Sequence, residues 1–203
     1  MDDDHTHVRE FFGPRATGWD TRFPDDGPAY AAAVADLGVS DGDAVLDAGC
    51  GTGRALPALR AAVGSRGTVL GADLTPEMLG AAVRAGRHHD ARLLLADAAE
   101  LPLRAHSLDA VFAAGLIGHL PHPAANLREL ARVVRPGGRL ALFHPVGRAA
   151  LAARQGRALT DDDLRAEANL RPLLAGSGWR LLSYADEDGR FLALAEREQR
   201  ITS

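Results

Sequence analysis

Ala44-Val45-Leu46-Asp47-Ala48-Gly49-Cys50-Gly51-Thr52-Gly53 is the stretch on which the fold turns. Ala44 to Asp47 reads as a short apolar strand, and Leu56 to Val63 as a helix. Pro57 falls in that helix's first turn, where a missing N–H costs little. The glycines at 49, 51 and 53 permit positive φ and let a ligand approach the backbone closely. A glycine loop between a strand and a helix also puts free N–H groups at the helix start, where an anion is favoured. Such a loop suits a nucleotide-like ligand.

The alternation continues on the C-terminal side. Thr68 to Asp73, Arg92 to Ala96, Leu108 to Ala114 and Arg139 to Phe143 are further strands. They are nearly continuous apolar runs, as expected of parallel strands buried on both faces. Thr75 is placed to cap a helix that has Pro76 at its first position and Glu77 near its positive end. Ala124 to Val134 is predicted helical, with Leu127, Leu130 and Val134 on one face. Arg135-Pro136-Gly137-Gly138 then reads as a turn. Strands alternating with helices predict βαβ units with right-handed crossovers. Trp179 to Tyr184 and Phe191 to Ala195 are joined only by Asp186-Glu187-Asp188-Gly189, too short for a crossover helix. That link predicts a hairpin and one antiparallel strand. The expected fold class is therefore α/β, a doubly wound Rossmann-like seven-stranded sheet, mostly parallel with one antiparallel strand.

Residues 1–28 are polar and turn-rich, with aromatics at Phe11, Phe12, Trp19 and Phe23. They are expected to form a lid segment ahead of a single domain at 29–203. Ala29 to Leu37 reads as a helix stopped by Gly38. An insertion at 145–175 is a candidate substrate cap. Within it, Ala149 to Arg157 reads as a helix, Thr160 as the cap of another, and Pro172 as the start of a third.

Length and composition fit one ordinary globular domain: 203 residues, 46 % apolar and 25 % charged. The net charge of −4 argues against a nucleic-acid surface. All 23 basic residues are arginine, which we read as codon bias of a GC-rich genome. The single cysteine, Cys50, excludes an intrachain disulfide and fits a reducing compartment. The acidic N-terminus has no apolar signal region, and no stretch approaches the ~20 apolar residues of a span. The expected location is cytoplasmic, with no membrane partner.

A dinucleotide fingerprint needs glycine at its first, third and sixth places. Counted from Gly49, the sixth place is Arg54 and the glycine falls at the fifth, Gly53. The spacing thus argues against NAD or FAD.

Val45 to Gly53 resembles the signature loop of class I S-adenosylmethionine-dependent methyltransferases, in particular the small single-domain enzymes of the ubiquinone-biosynthesis type. Four further segments resemble that family in its order: Leu70-Gly71-Ala72-Asp73, Ala96 to Pro102, Leu108 to Phe112 running on to His119-Leu120, and Glu129 to Gly138. The likeness covers roughly residues 44 to 144. It implies S-adenosylmethionine as cofactor, with Asp73 on the ribose hydroxyls and the Asp97-Ala98 segment reading adenine. A carboxylate in the place of Asp73 can accept two hydroxyl hydrogens, and such charge-assisted bonds are the strong kind. Asp97 can accept from the exocyclic amine while the Ala98 N–H donates to the ring. Leu74 and Leu101 are candidates to sandwich the adenine. Gly49, Cys50, Gly51 and Gly53 would offer backbone to the cofactor. Asp47 either reaches its ammonium group, directly or through water, or clamps the loop. Ala114 and Gly115 would lie beside the methionine moiety. Arg15, in a stretch resembling the family's lid, is a candidate partner for the cofactor carboxylate, and Trp19 or Phe12 for shielding the sulfonium from water.

Methyl transfer from a sulfonium is an in-line displacement, so positioning carries much of the catalysis. A general base is needed only where the nucleophile holds a high-pKa proton. His119 and His144 are the candidates, with His122 behind them. His119-x-x-His122 lacks further ligands spaced to complete a metal site, and none is expected. Arg148, Arg154 and Arg157 are either a solvated helical face or a device for an acidic substrate. The expected partner is a small-molecule acceptor. A non-catalytic binder of the same cofactor and a macromolecular methyltransferase are the rivals, and nothing in the chain specifies an oligomeric state.

Overall fold

The computed structural model describes residues 2–22 and 26–199, with side chains from residue 6 onward. Phe23 lies outside the described residues. The parallel strands are β1 (Ala44–Ala48), β2 (Thr68–Asp73), β3 (Arg92–Leu95), β4 (Leu108–Ala114) and β5 (Val134–His144), followed by the hairpin β6 (Trp179–Glu187) and β7 (Arg190–Arg197). They form one seven-stranded sheet in the order β3-β2-β1-β4-β5-β7-β6. β7 runs antiparallel to both β5 and β6, and the remaining pairs are parallel. Chain order reverses between β1 and β4, so the carboxyl ends of those strands frame the crevice where such sheets take ligands.

Helices cover both faces. In chain order they are α1 (Asp2–Phe12), α2 (Trp19–Arg22), α3 (Gly27–Leu37), α4 (Leu56–Val63), α5 (Pro76–Arg84), α6 (Pro123–Val133), α7 (Arg148–Arg154) and α8 (Glu167–Ala175), with 3-10 turns at Gly13–Gly18, Arg87–His89 and Ile117–His119. Two apolar clusters sit on the two faces. One packs α3 and α4 through Leu37, Leu56 and Leu59 against Val45, Phe112 and Ala141. The other packs α6 and α8 through Leu127, Leu130 and Leu170 against Leu46, Val111 and Trp179. The alternation of β1 explains the division, since Val45 and Leu46 face opposite ways.

The elements from β1 to β4 stand where the sequence puts them, and four details differ. The N-terminal stretch, expected to be turn-rich, is mostly helical, because its aromatics have a surface to pack on. β5 begins at Val134 rather than Arg139 and absorbs the predicted turn as a bulge: Leu108 pairs with Val134, and Ala110 already pairs with Arg139. Gly137 takes φ 78° there. At Gly138 a Cβ would fall 2.5 Å from the Asp109 carbonyl oxygen, so only glycine fits. Thr160 caps no helix. The chain turns through 160–166 instead, and α8 starts at Glu167. Pro172 lies inside α8 rather than at its start.

Trp179 is fully buried and donates its indole N–H to the Leu127 carbonyl at 2.9 Å, joining the hairpin to α6. Trp179→Ala is expected to cost about 3–5 kcal/mol. It would appear as a lower urea midpoint with an unchanged slope; an unchanged midpoint would show that the hairpin does not depend on this contact.

Candidate functional site

A cavity of about 1760 Å³ opens at the carboxyl ends of the strands, on the reversal of strand order. Its floor is the loop after β1. Gly49, Gly51 and Gly53 all have positive φ, at 68°, 54° and 82°. A Cβ on Gly49 would lie 2.8 Å from the Leu116 Cδ1, and one on Gly51 would meet nothing closer than Met78 Sδ at 4.0 Å. Gly51 thus leaves backbone open to the cavity. Gly53 does not line it. A Cβ there would fall 2.7 Å from Leu56 Cδ1, at the turn into α4.

Asp73 organises the floor. Its Oδ2 accepts the Gly51 N–H at 2.7 Å and its Oδ1 accepts the Thr75 N–H at 2.8 Å. Thr75 was expected to cap α5 with its hydroxyl. It occupies the cap position without a side-chain cap bond, and the hydroxyl turns to Asp73. Burial pushes the Asp73 carboxyl up, and the surrounding donors oppose that shift. The N–H groups of Gly51, Leu74 and Thr75 and the Thr75 hydroxyl all converge on this carboxylate at the cavity floor.

Asp47 behaves differently. It is 1 % exposed, and its Oδ1 has no hydrogen-bond partner. Burial first, and then the charge of Asp73, push its carboxyl up to about 8. A buried polar atom left unpaired on a cavity wall is a binding group in want of a donor. Cys50, also on the wall, is a buried thiol pushed further up by burial, which makes it an unreactive packing residue.

Asp97 stands beyond β3, where its Oδ1 accepts the Ala99 N–H at 2.8 Å and its carbonyl accepts the Glu100 N–H. Asp97, Ala98, Leu74, Ala114, Gly115 and Arg15 all line the cavity. Leu101 does not. The tight 97–100 turn sends it into the core, 4 % exposed, with its N–H held by Glu129 Oε1 at 2.8 Å. Leu95, 58 % exposed at the end of β3, presents its side chain to the cavity instead. Arg15 stacks on Phe11 at 4.1 Å from the ring centroid and donates to the Phe11 carbonyl.

The N-terminal segment forms one wall. Asp20 accepts from the Thr52 hydroxyl and from Arg87, both at 2.7 Å, and Arg87 also donates to the Thr52 carbonyl at 2.7 Å. Arg9 donates to the Leu74 carbonyl at 3.1 Å. None of these partnerships has a local sequence signature, since Asp20 and Arg87 are 67 residues apart. Tyr30 was missed for the same reason. It lines the cavity near Asp47, and burial raises its phenol well above the usual value.

His119, His122 and His144 all reach the cavity. His119 packs on Phe12 and Phe11, with centroids at 5.0 and 6.1 Å. His144 turns its Nδ1 to the backbone of Val146. Burial lowers both His119 and His144, and Arg165 lowers them further. Arg165 was not anticipated. It lines the cavity from the 145–175 segment, held by Asp163. Arg148, Arg154 and Arg157 divide: Arg148 pairs with Asp163 and Asp186, while Arg154 and Arg157 line the cavity. Among the described residues no cluster of three or more His, Cys, Asp or Glu is placed to hold a metal, and no helix is long and apolar enough to cross a membrane.

Asp47 has a consequence for stability. Between about pH 4, the ordinary carboxylate value, and about 8, the folded chain holds a proton that the unfolded chain has released. Folding stability from this group is therefore full below that window and lost as pH rises through it. Asp47→Asn cannot ionise. Its melting temperature is expected to gain on wild type from pH 4 to 8 and to level off above; a constant difference would contradict a buried, raised carboxyl.

Residues 46–142 match a methyltransferase domain. The methyltransferase GfsG of Streptomyces halstedii is 41 % identical over 119 residues, covering 57 % of this chain and 42 % of that one. A demethylmenaquinone methyltransferase of Staphylococcus aureus is 38 % identical over 104 residues, covering 51 % and 43 %. The chain thus spans less than half the length of these curated relatives. Magnesium protoporphyrin IX methyltransferase from Synechocystis, solved with bound S-adenosylmethionine, superposes with a TM-score of 0.72 at 21 % identity over 97 % of this chain and 98 % of that one, a likeness of fold. Residues 46–142 thus match a methyltransferase domain, and the chain as a whole shares the fold of solved S-adenosylmethionine-dependent methyltransferases.

Proposed function

We propose that the chain transfers a methyl group from S-adenosylmethionine to a small-molecule acceptor by in-line displacement. The observation that carries this reading is the floor of the cavity. An open glycine backbone at Gly51, the Asp73 carboxylate on the cavity floor, and an unpartnered carboxyl oxygen at Asp47 converge there. Those groups fit the cofactor. Asp73 would take the ribose hydroxyls, Asp47 the ammonium, and Asp97 with the Ala98 N–H the adenine, with Leu74 or Leu95 against its face. Arg15 would meet the carboxylate by leaving its stack on Phe11. When bound, the sulfonium supplies an already activated methyl group.

The protein's part is to bind, orient and exclude water. Ligand pockets commonly measure about 300–1,000 Å³, so a cavity of about 1760 Å³ supports room for a donor and an acceptor side by side. The similarity to a demethylmenaquinone methyltransferase supports an acceptor of metabolite size. Residues 1–28 act as a lid and 145–175 as a substrate cap in this reading, with Phe12 and Trp19 shielding the sulfonium.

Calorimetry tests the proposal. S-adenosylmethionine and S-adenosylhomocysteine are expected to bind, and NAD is not. Because a ligand ammonium requires Asp47 ionised, affinity for S-adenosylhomocysteine is expected to rise with pH and flatten above about 8. In Asp47→Asn that rise is expected to vanish and binding to weaken. Failure of both adenosyl ligands to bind would sink the reading.

A further inference from the structure

Three groups from three separate elements face the same cavity: His119 after β4, His144 at the end of β5, and Arg165 ahead of α8. The two histidines are not equivalent. His119 is held by aromatic packing on Phe11 and Phe12. His144 is held by hydrogen bonding at Nδ1. Its Nδ1 lies 2.8 Å from the Val146 carbonyl oxygen and 3.1 Å from the Val146 nitrogen. One proton cannot satisfy both. The shorter approach is to an acceptor, which would set lone pair against lone pair unless Nδ1 carries the proton. The shorter contact favours Nδ1–H donating to the carbonyl over Nδ1 accepting the Val146 N–H, and in that tautomer Nε2 keeps its lone pair. That is the arrangement of an oriented base.

Arg165 is positioned as firmly. Its Nε and Nη2 each donate to Asp163 at 3.2 Å, and its carbonyl accepts the Tyr184 hydroxyl at 2.7 Å. Asp163 is fixed in turn by Arg148 at 3.1 Å. The charged and titratable groups that act on His144 are Arg165 and His119, which disfavour its protonation, and Asp26, which favours it; burial is the largest influence and also disfavours it. The imidazole is thus a neutral and rather weak base beside a fixed cation.

Resting on the methyltransferase reading, we propose that the acceptor is an acidic hydroxyl of phenol or enol type, deprotonated by His144 Nε2 and held as it becomes anionic by Arg165. The chemistry selects this class. A weakened imidazole reaches a phenol at about 10 far more readily than an aliphatic alcohol. An ammonium acceptor would have to enter beside a cation. A flat apolar body has somewhere to lie, since Leu151, Ile117 and the half-exposed Leu159 line the same cavity. In the step, the hydroxyl proton passes to Nε2 as the oxygen bonds to the methyl carbon. The carbon–sulfur bond breaks, and its electron pair stays on sulfur, which becomes a neutral thioether. The imidazolium then gives its proton to water, aided by repulsion from Arg165.

The test uses the full chain and two readouts. Nitrogen NMR of the histidine rings should show His144 with Nδ1 protonated and Nε2 unprotonated, titrating below the ordinary histidine range and rising in Arg165→Gln. Then 4-nitrophenol, whose colour reports its ionisation, is titrated into protein saturated with S-adenosylhomocysteine, with benzylamine as the cationic comparison. Wild type should bind 4-nitrophenol in preference to benzylamine and ionise it at a pH below that needed in solution. His144→Gln should abolish the shift in ionisation, and Arg165→Gln should weaken binding by about tenfold, the equivalent of one pKa unit. An Nε2-protonated His144, an unshifted nitrophenol, or equal binding of benzylamine would overturn the proposal. Saturation with S-adenosylhomocysteine is scored separately, so its failure would tell against the cofactor reading and leave the tautomer result to stand by itself.

Discussion

Asp73 ties two loops together, and the cavity floor depends on that tie. One oxygen holds the Gly51 N–H of the loop after β1, and the other holds the Thr75 N–H at the start of α5. The loop glycines have conformations that no side-chain residue adopts cheaply, so the loop needs an external constraint to keep one shape. A carboxylate accepting backbone N–H groups provides it, and such charge-assisted bonds are about twice as strong as neutral ones. The same carboxylate charge falls on Asp47, which burial already disfavours as an anion. One residue therefore shapes the floor and adds to the burial that keeps its neighbour protonated.

The two ends of the cavity carry opposite electrostatic characters. On the side of β1 and β2, Asp47 and Asp73 form an acidic floor suited to a ligand with an ammonium and hydroxyl groups. On the side of β5 and the 145–175 segment, Arg165 faces two neutral imidazoles. The division follows from topology. Strand order reverses between β1 and β4, so the two halves of the sheet deliver their carboxyl ends to one crevice from different stretches of chain. A cationic donor and an acceptor that becomes anionic would each meet the complementary wall.

Much of this was legible in the sequence, and the reasons are local. β2 and β4 were bounded correctly because uninterrupted apolar runs end at turn residues, and the hairpin because Asp188-Gly189 leaves no room for a crossover. Asp47, Asp73 and Asp97 were readable as crevice residues because each stands at or just beyond the carboxyl end of a strand, and all three line the cavity. What was missed depends on distance along the chain. Leu101 looked like a binding residue until the 97–100 turn was seen to bury it. Gly53 reads as backbone for a ligand, and the fold sets it beside Leu56, off the cavity lining. The bulge at Arg135 to Gly138 read as a turn because strand pairing is invisible in one strand alone. Arg165 gave no signal, being one arginine among many until Asp163 and the fold brought it to the histidines.

The N-terminal segment, pinned through Asp20 to Thr52 and Arg87, makes residues 8–22 part of the container rather than a preface to it. Trimming the chain to begin at the first helix packed on the sheet would keep every residue of both apolar clusters. It would also remove the wall that carries Phe11, Phe12 and Trp19, and open the floor to water. Water raises the local dielectric and weakens every charge interaction there. A minimal domain chosen for its compact core would thus keep the architecture and lose the environment in which its chemistry is set.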